Sequence, residues 1–323
     1  MQAPILTLTM NPALDLSTRT DAVRPGRKLR CGPTRIDPGG GGVNVSRAIR
    51  NLGGASEAVL PLGGATGERY RVLLGATGLE PAIVPIDEAT RENITIDETS
   101  TGEQYRFVLP GPELREQEWR SCLSVLQERL PTGGYLVASG SLPPGVPAEF
   151  YGMVADLAAD RGVTLVVDAA GPALAGALAK GVFLIKPSRE ELADLAGADR
   201  DLTADEQLSS AREIVADGRA QLVAVTLGAD GALLVSDAGA LTLPTPQVTV
   251  ASTVGAGDAF LAGFVLRLAQ GGSIEQAFRT AVAAGSATAM SPGTELCQAE
   301  DVARLEQQLP VPARVVLPPS GPA

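Results

Sequence analysis

The sequence predicts an α/β protein whose mostly parallel sheet carries helices on both faces. Three observations carry that expectation. Short β-rich runs recur at Ile5-Leu-Thr-Leu-Thr9, Ala58-Val-Leu-Pro-Leu62, Tyr135-Leu-Val-Ala-Ser139, Val163-Thr-Leu-Val-Val-Asp168, Val182-Phe-Leu-Ile-Lys186 and Leu222-Val-Ala-Val-Thr226. Most of these runs are apolar throughout instead of alternating, as strands buried on both faces are. Helical patterns lie between them, which is the order that parallel crossovers require.

The helices follow from periodicity and capping. Val45, Ala48, Ile49 and Leu52 recur at i, i+3, i+4 and i+7 and place one apolar stripe on a helix from Val45 to Leu52. Thr203-x-x-Glu206 is a capping box and starts a helix over 205–216. A third helix is expected from Asp258 to about Gln270, with Phe260, Leu261, Phe264, Val265 and Leu268 on one face, behind a strand-like Gln247-Val-Thr-Val-Ala251.

Two segments break the pattern. Residues 16–37 and 92–109 alternate apolar and polar residues around turn residues, as hairpins with one exposed face do. Together they predict a small separate sheet whose apolar face must close over a ligand or meet a second copy of the chain. The expected organisation is therefore one domain over 1–309 with this lid, followed by a proline-rich, poorly ordered tail over 310–323.

Composition excludes several function classes. The formal charge of −11 argues against nucleic acid, whose binding rests on basic neutralisation of phosphates. No apolar run approaches the ~20 residues that span a bilayer, and Met1-Gln-Ala-Pro-Ile-Leu lacks the pattern of a signal peptide, so a cytoplasmic protein is expected. Cys31, Cys122 and Cys297 are scattered and read as free thiols. With no histidine in the chain, acid–base work near neutral pH falls to carboxylate or lysine.

Two glycine-rich turns carry the chemistry. In Ser252-Thr-Val-Gly-Ala-Gly-Asp-Ala-Phe260 the residues Gly255, Ala256 and Gly257 precede a helix, so free backbone N–H groups and the positive end of the helix dipole make an anion site. Asp258 stands in the first helical turn, where a carboxylate either complements the dipole or takes a proton from an attacking hydroxyl. Gly39 to Gly42 form the second turn, ahead of Asn44, and suit a polyol lying on bare backbone. Asp15, after the first strand, offers a further acceptor. A Walker A loop is absent, and Phe260 stands where a dinucleotide fingerprint has its third glycine, which disfavours a Rossmann oxidoreductase. Lys28, Arg30, Arg91 and Arg106 fall on the lid segments or at their edges and, in so acidic a protein, point to a phosphorylated ligand.

Gly39-Gly-Gly-Gly-Val-Asn44 and Thr253-Val-Gly-Ala-Gly-Asp-Ala-Phe260 resemble the two signatures of the ribokinase-like PfkB carbohydrate kinases, over about residues 3–309. Thr7-Leu-Thr-Met-Asn-Pro-Ala-Leu-Asp15 is similar to their phosphosugar branch. Lys28-Leu-Arg-Cys31, Glu103-Gln-Tyr-Arg-Phe-Val-Leu-Pro-Gly111 and Ser139-Gly-Ser-Leu-Pro-Pro-Gly-Val146 resemble the members that act on fructose 6-phosphate. Kinases of fructose 1-phosphate or tagatose 6-phosphate usually carry Gly-Lys-Gly where this chain has Gly40-Gly41-Gly42.

The resemblance implies a three-layer α/β/α sandwich with a β-lid, dimerised lid to lid, and ATP-dependent phosphorylation of a phosphosugar. It implies Asp258 as base, the Gly255–Gly257 turn as anion hole and Lys28 bridging to the γ-phosphate. Asp15, Gly40, Gly41 and Asn44 would hold the sugar, and Arg30, Arg91 and Ser141 its phosphate. Lys186, Ser188, Thr226, Gly228, Gly231, Val282 and Ser286 would line the ATP site. Glu191 would orient Mg²⁺, and carbonyls near Ser252 and Val254 would hold K⁺. The chain departs from the family text at Ser188, where an Asn is usual, and at Ser291 and Glu295, where related kinases tend to have Asn and Arg. Phosphorylation of tagatose 6-phosphate or fructose 1-phosphate keeps the same chemistry, whereas a non-catalytic sugar-phosphate sensor is opposed by the intact Gly-Ala-Gly-Asp text.

Overall fold

The computed structural model describes residues 1–315. The first half of the chain runs β1 (Ile5–Leu8), β2 (Ala13–Thr20), β3 (Arg35–Gly39), α1 (Gly41–Asn51), β4 (Glu57–Leu62), α2 (Gly64–Ala76), β5 (Ala82–Pro85), β6 (Arg91–Glu98), β7 (Gln104–Val108), α3 (Glu116–Arg129) and β8 (Tyr135–Ser139). There follow α4 (Phe150–Asp160), β9 (Thr164–Asp168), α5 (Gly171–Leu178), β10 (Val182–Ile185), α6 (Arg189–Leu195), α7 (Ala204–Ala216) and β11 (Ala220–Thr226). The end is β12 (Ala232–Ser236), β13 (Gly239–Leu243), α8 (Ala256–Ala269), α9 (Ile274–Ala289), α10 (Ala299–Gln308) and β14 (Ala313–Arg314).

Among the described residues the main sheet has ten strands in the order β14-β13-β12-β11-β10-β9-β8-β1-β4-β5. It is parallel from β11 to β5 and antiparallel from β11 to β14. One face is covered by a core containing Trp119, Phe150 and Leu126, the other by a core containing Phe260, Phe264 and Phe278. This is the expected three-layer sandwich. From β1 the strand order grows in both directions, to β4 on one side and to β8 on the other, so the crevice beyond the ends of β1 and β8 is a topological switch point.

The lid is a four-stranded sheet in the order β3-β2-β6-β7. Its halves are antiparallel pairs, as the alternation predicts, but they join through a parallel β2–β6 pairing that matches Ala13 to Arg91 and Asp15 to Asn93. That register carries both lid segments out of the sandwich from the same place.

Three expectations change. The segment 247–251 is not a strand: Ala251 N donates to the Ala289 carbonyl at the end of α9 (2.8 Å) instead of to a neighbouring strand. The helix expected from Val45 begins at Gly41, because the glycines join its first turn. Part of the expected tail is ordered, since Ala313–Arg314 pair with Leu241 and Thr242 as the edge strand; residues 316–323 lie outside the described part.

Gly42 shows how tightly α1 seats on β1, because a Cβ there would lie 2.6 Å from the Leu8 carbonyl oxygen and 2.7 Å from Thr9 Oγ1. Gly42→Ala should therefore lower stability by roughly 1–3 kcal/mol in urea unfolding. A gain of about 1 kcal/mol, as helix propensity alone gives, would contradict this packing.

Candidate active site

The site is assembled around the first turn of α8. Gly255 caps that helix at φ 77°, a left-handed conformation that glycine adopts without strain, and a Cβ there would stand 2.7 Å from Leu296 Cδ2. The helical ladder opens with Ala259 N donating to the Gly255 carbonyl (2.9 Å). The amides of Gly257 and Asp258 precede that rung and so belong to the helix's positive end. Asp258 is the acidic residue of this turn.

The four glycines meet different demands. A Cβ on Gly39 would fall 1.8 Å from Asp15 Oδ2, and one on Gly41 would fall 2.1 Å from Ser139 Oγ. Gly40 sits at φ 121°, a region that residues with a Cβ avoid. The run therefore closes the switch-point crevice around Asp15 and β8, and Gly40 and Gly41 form part of its wall.

This closure brings Asn44 to Asp258. Asn44 Nδ2 donates to Asp258 Oδ2 at 2.9 Å, although 214 residues separate them. Burial, followed by the nearby Asp168 carboxylate, pushes Asp258 up to about 7; Asn44 and Lys186 act in the opposite direction. Asp15, at the root of the lid, is also raised by burial, against the Asn93 amide that donates to its Oδ1 (2.9 Å). Lys186 is buried and paired with Asp168 at 3.2 Å. Burial works against its charge, but Asp168 and then Glu191 raise its pKa, so it stays cationic beneath Gly257.

Three cavities converge here. One of about 150 Å³ lies between lid and sandwich, lined by Asp15, Gly40, Asn44, Arg91, Arg106, Val254, Gly255 and Asp258. A second, of about 720 Å³, is lined by Gly41, Ser141, Asp168, Glu191 and again Asp258. A third, of about 320 Å³, gathers Thr226, Gly228, Gly231, Val282 and Ser286 with Ala256 and Gly257. The tip of α8 thus faces one polar and one mixed cavity with its carboxylate and a more apolar one with its glycine turn.

Several expected site residues stand elsewhere. Lys28 and Arg30 are exposed in the β2–β3 connection and line none of the three cavities. The reason is length: β2 continues from Asp15 to Thr20, whose hydroxyl donates to the Arg30 carbonyl, roughly 16 Å along the strand at about 3.3 Å per residue. Lys186 is the buried counter-charge of Asp168, and both it and Ser188 lie outside the cavity that holds Thr226, Gly228, Gly231, Val282 and Ser286. Ser188 caps α6, and its N–H donates to Glu191 Oε2 (2.7 Å), so this acid serves a capping box while lining the second cavity. Ser252 is buried and lines none of the cavities, while its hydroxyl accepts from Val254 N at 3.3 Å.

Other residues were not foreseen. Asp168 ends β9 at the crevice, and an acid closing an apolar strand run was the available signal. Asn11 Nδ2 donates to Ser141 Oγ (3.1 Å), and the Asn11 backbone carbonyl accepts from Arg91 Nη2 (3.0 Å), which ties three segments together. Glu295 pairs with Arg35 of β3, joining the loop after α9 to the lid.

A carboxylate of raised pKa, an amide donor and a helix end between a polar and an apolar cavity are the parts that a phosphoryl-transfer site acting on an alcohol requires. Residues 6–301 match the family model described as pfkB family carbohydrate kinase, and the chain belongs to that family. It is 44% identical over 311 residues to ATP-dependent 6-phosphofructokinase isozyme 2 of Mycobacterium tuberculosis, covering 96% of this chain and 91% of that protein. Isozyme 2 of Escherichia coli is 43% identical over 303 residues, covering 93% and 97%. The solved structure of Escherichia coli phosphofructokinase-2 in complex with fructose-6-phosphate superposes with a TM-score of 0.89 at 40% identity, covering 95% of this chain and 99% of that one.

The folded-state pKa of Asp258 lies above its unfolded value, so this group stabilises the fold at low pH and that stability is lost as pH rises towards about 7. Between about pH 5 and 6 the slope is close to that of one proton, on the order of 1 kcal/mol per unit, and it falls to half of that as the pH reaches the folded-state pKa. Chemical denaturation of Asp258→Asn should lack this part of the slope; an identical pH dependence in both proteins would show that Asp258 titrates normally.

Proposed function

We propose that the protein is an ATP-dependent 6-phosphofructokinase that phosphorylates the 1-hydroxyl of fructose 6-phosphate to give fructose 1,6-bisphosphate. The observation that carries this reading is Asp258, hydrogen-bonded to Asn44, at the junction of the cavities on either side of the α8 tip. In the small lid cavity Asp15, Asn44 and the Gly40 backbone hold sugar hydroxyls, and Arg91 with Arg106 supplies positive charge for the sugar phosphate. Ser141, held by Asn11, adds a hydroxyl on the adjoining wall. Val248, Val250 and Val282 give the third cavity an apolar lining for a nucleobase, with Thr226 and Ser286 as polar partners.

Asp258 takes the proton of the attacking hydroxyl, and the Gly255–Gly257 turn stabilises charge on the transferring group. A magnesium ion fits the oxygen donors of Asp168 and Glu191, which share one cavity; Mg²⁺ sites commonly use one or two carboxylates and complete the shell with substrate phosphates. Such an ion would neutralise phosphate charge. Use of a potassium ion is supported by the Escherichia coli enzyme, solved in complex with potassium and matched with a TM-score of 0.91 at 41% identity, and the carbonyls near Ser252 and Val254 are where we place it. Among the described residues no helix is long and apolar enough to cross a membrane, and we place the activity in the cytoplasm.

The sugar assignment is supported by the identity of 43–44% to the two isozyme 2 enzymes, compared with 32% over 293 residues to a 1-phosphofructokinase of Bacillus subtilis. In a coupled assay fructose 6-phosphate should give the highest kcat/KM of the three phosphosugars; preference for fructose 1-phosphate or tagatose 6-phosphate would replace the substrate. Asp258→Asn should lower kcat by ~10²–10⁴ with sugar binding largely kept. Turnover at the parent rate would remove Asp258 from the chemistry.

The lid leaves Ile94, Phe107 and Val108 at 37%, 50% and 65% exposure, which supports pairing with a second lid. Lys28 and Arg30, on the same lid, would act across that interface. Sedimentation should show a dimer that Phe107→Asp dissociates; a monomeric parent would refute the lid contact.

A further inference from the structure

We propose that Arg47 is a positioning residue for the base: it locks the Asn44 amide with Nδ2 towards Asp258 and ties that lock to lid strand β3 through Asp37. This rests on the reading of Asp258 as general base. Arg47 lies three residues after Asn44 on α1, on the same helix face. Its Nη1 donates to Asn44 Oδ1 (3.2 Å) and to the Pro38 carbonyl (3.0 Å), and its Nη2 stands 3.7 Å from Asp37 Oδ1. The side chain is 11% exposed, so this is a built-in charge whose acceptors all belong to the protein.

An amide has one acceptor end and one donor end. With Oδ1 engaged by Arg47, only Nδ2 is left to face Asp258, where it favours the ionised carboxylate. Without Arg47 the amide is free to rotate, and Oδ1 would then oppose a carboxylate oxygen unless the acid kept its proton. Asp37 makes the second half of the device. It accepts from Thr294 Oγ1 (2.5 Å) and from Arg35 Nε (2.6 Å), and Arg35 in turn pairs with Glu295. A continuous chain of polar contacts therefore runs from Glu295 through β3 and α1 to the base. Tyr70, packed beside Arg47, donates to the Gly39 carbonyl (2.8 Å) and steadies the same corner.

The other charged groups facing Asp258 come from different elements: Asp168 from β9, Lys186 after β10, Asp15 from β2, Glu191 from α6, and Arg91 and Arg106 from the lid. They set the baseline on which Arg47 acts.

The test is the pH dependence of kcat/KM for fructose 6-phosphate in Arg47→Met and in Arg47→Met/Asp37→Asn, which removes both buried charges and keeps an acceptor for Thr294. The expected result is an acid limb displaced upward by about one pH unit, a near-tenfold loss at pH 6 that recovers towards the parent rate at pH 9. Adding Asn44→Ala to Arg47→Met should move the limb little further, because both changes break one chain. A loss equal at every pH, or effects of Asn44→Ala and Arg47→Met that add, would overturn the role. If the single variant fails to fold, the paired variant decides on the same readout. Asp258→Asn, assayed alongside, separates the two failures: parent-like turnover there defeats the base reading itself, whereas its inactivity with an unshifted limb in the arginine variants defeats only Arg47.

Discussion

The proposed chemistry turns on keeping one carboxylate available as a base in a place where burial disfavours its charge. Asp258 loses hydration in the crevice and faces the Asp168 carboxylate, and both effects push its proton affinity up. Three features resist: the positive end of α8, the Asn44 amide and the buried Lys186 cation. Their balance sets Asp258 near neutrality, where a base both holds its charge and accepts a proton readily. Neither opposing set alone would do this. Desolvation alone would leave a neutral acid at pH 7, and the stabilising groups alone would leave a carboxylate too weakly basic to assist.

This balance constrains the backbone around it. The amide of Asn44 reaches Asp258 only if α1 lies close against the ends of β1 and β8, and glycines at 41 and 42 permit that approach. The parallel β2–β6 pairing then brings Asp15 and Arg91 to the roots of the lid, next to the same carboxylate. The lid is thus continuous with the catalytic crevice through covalent connections and through the Arg35–Glu295 and Asp37–Thr294 contacts.

Much of this was legible in sequence, for physical reasons that differ by element. Buried strands such as Tyr135–Ser139 announce themselves because both faces need apolar residues. The two glycine turns were visible because close approach and helix-end anion binding leave few alternatives to glycine. The distance of Lys28 and Arg30 from the cavities of their own chain was not legible, because sequence places a residue on a segment but says little about how far that segment projects. The pairing of Lys186 with Asp168 was not legible, since a buried ion pair between neighbouring strand ends has no local pattern. Asn11 and Arg47 escaped for a related reason: their value lies in contacts made to groups already recognised. The strand expected over 247–251 failed because alternating valines there serve a cavity wall, with the backbone satisfied by the end of α9.

The most direct test is a crystal structure with fructose 6-phosphate and a non-hydrolysable ATP analogue bound together. The account requires the sugar's 1-hydroxyl within about 3 Å of an Asp258 carboxylate oxygen, its phosphate on Arg91, and the γ-phosphate analogue over the Gly255–Gly257 turn. A complex with the 1-hydroxyl out of reach of Asp258, or with the nucleotide phosphates away from the α8 tip, would contradict it.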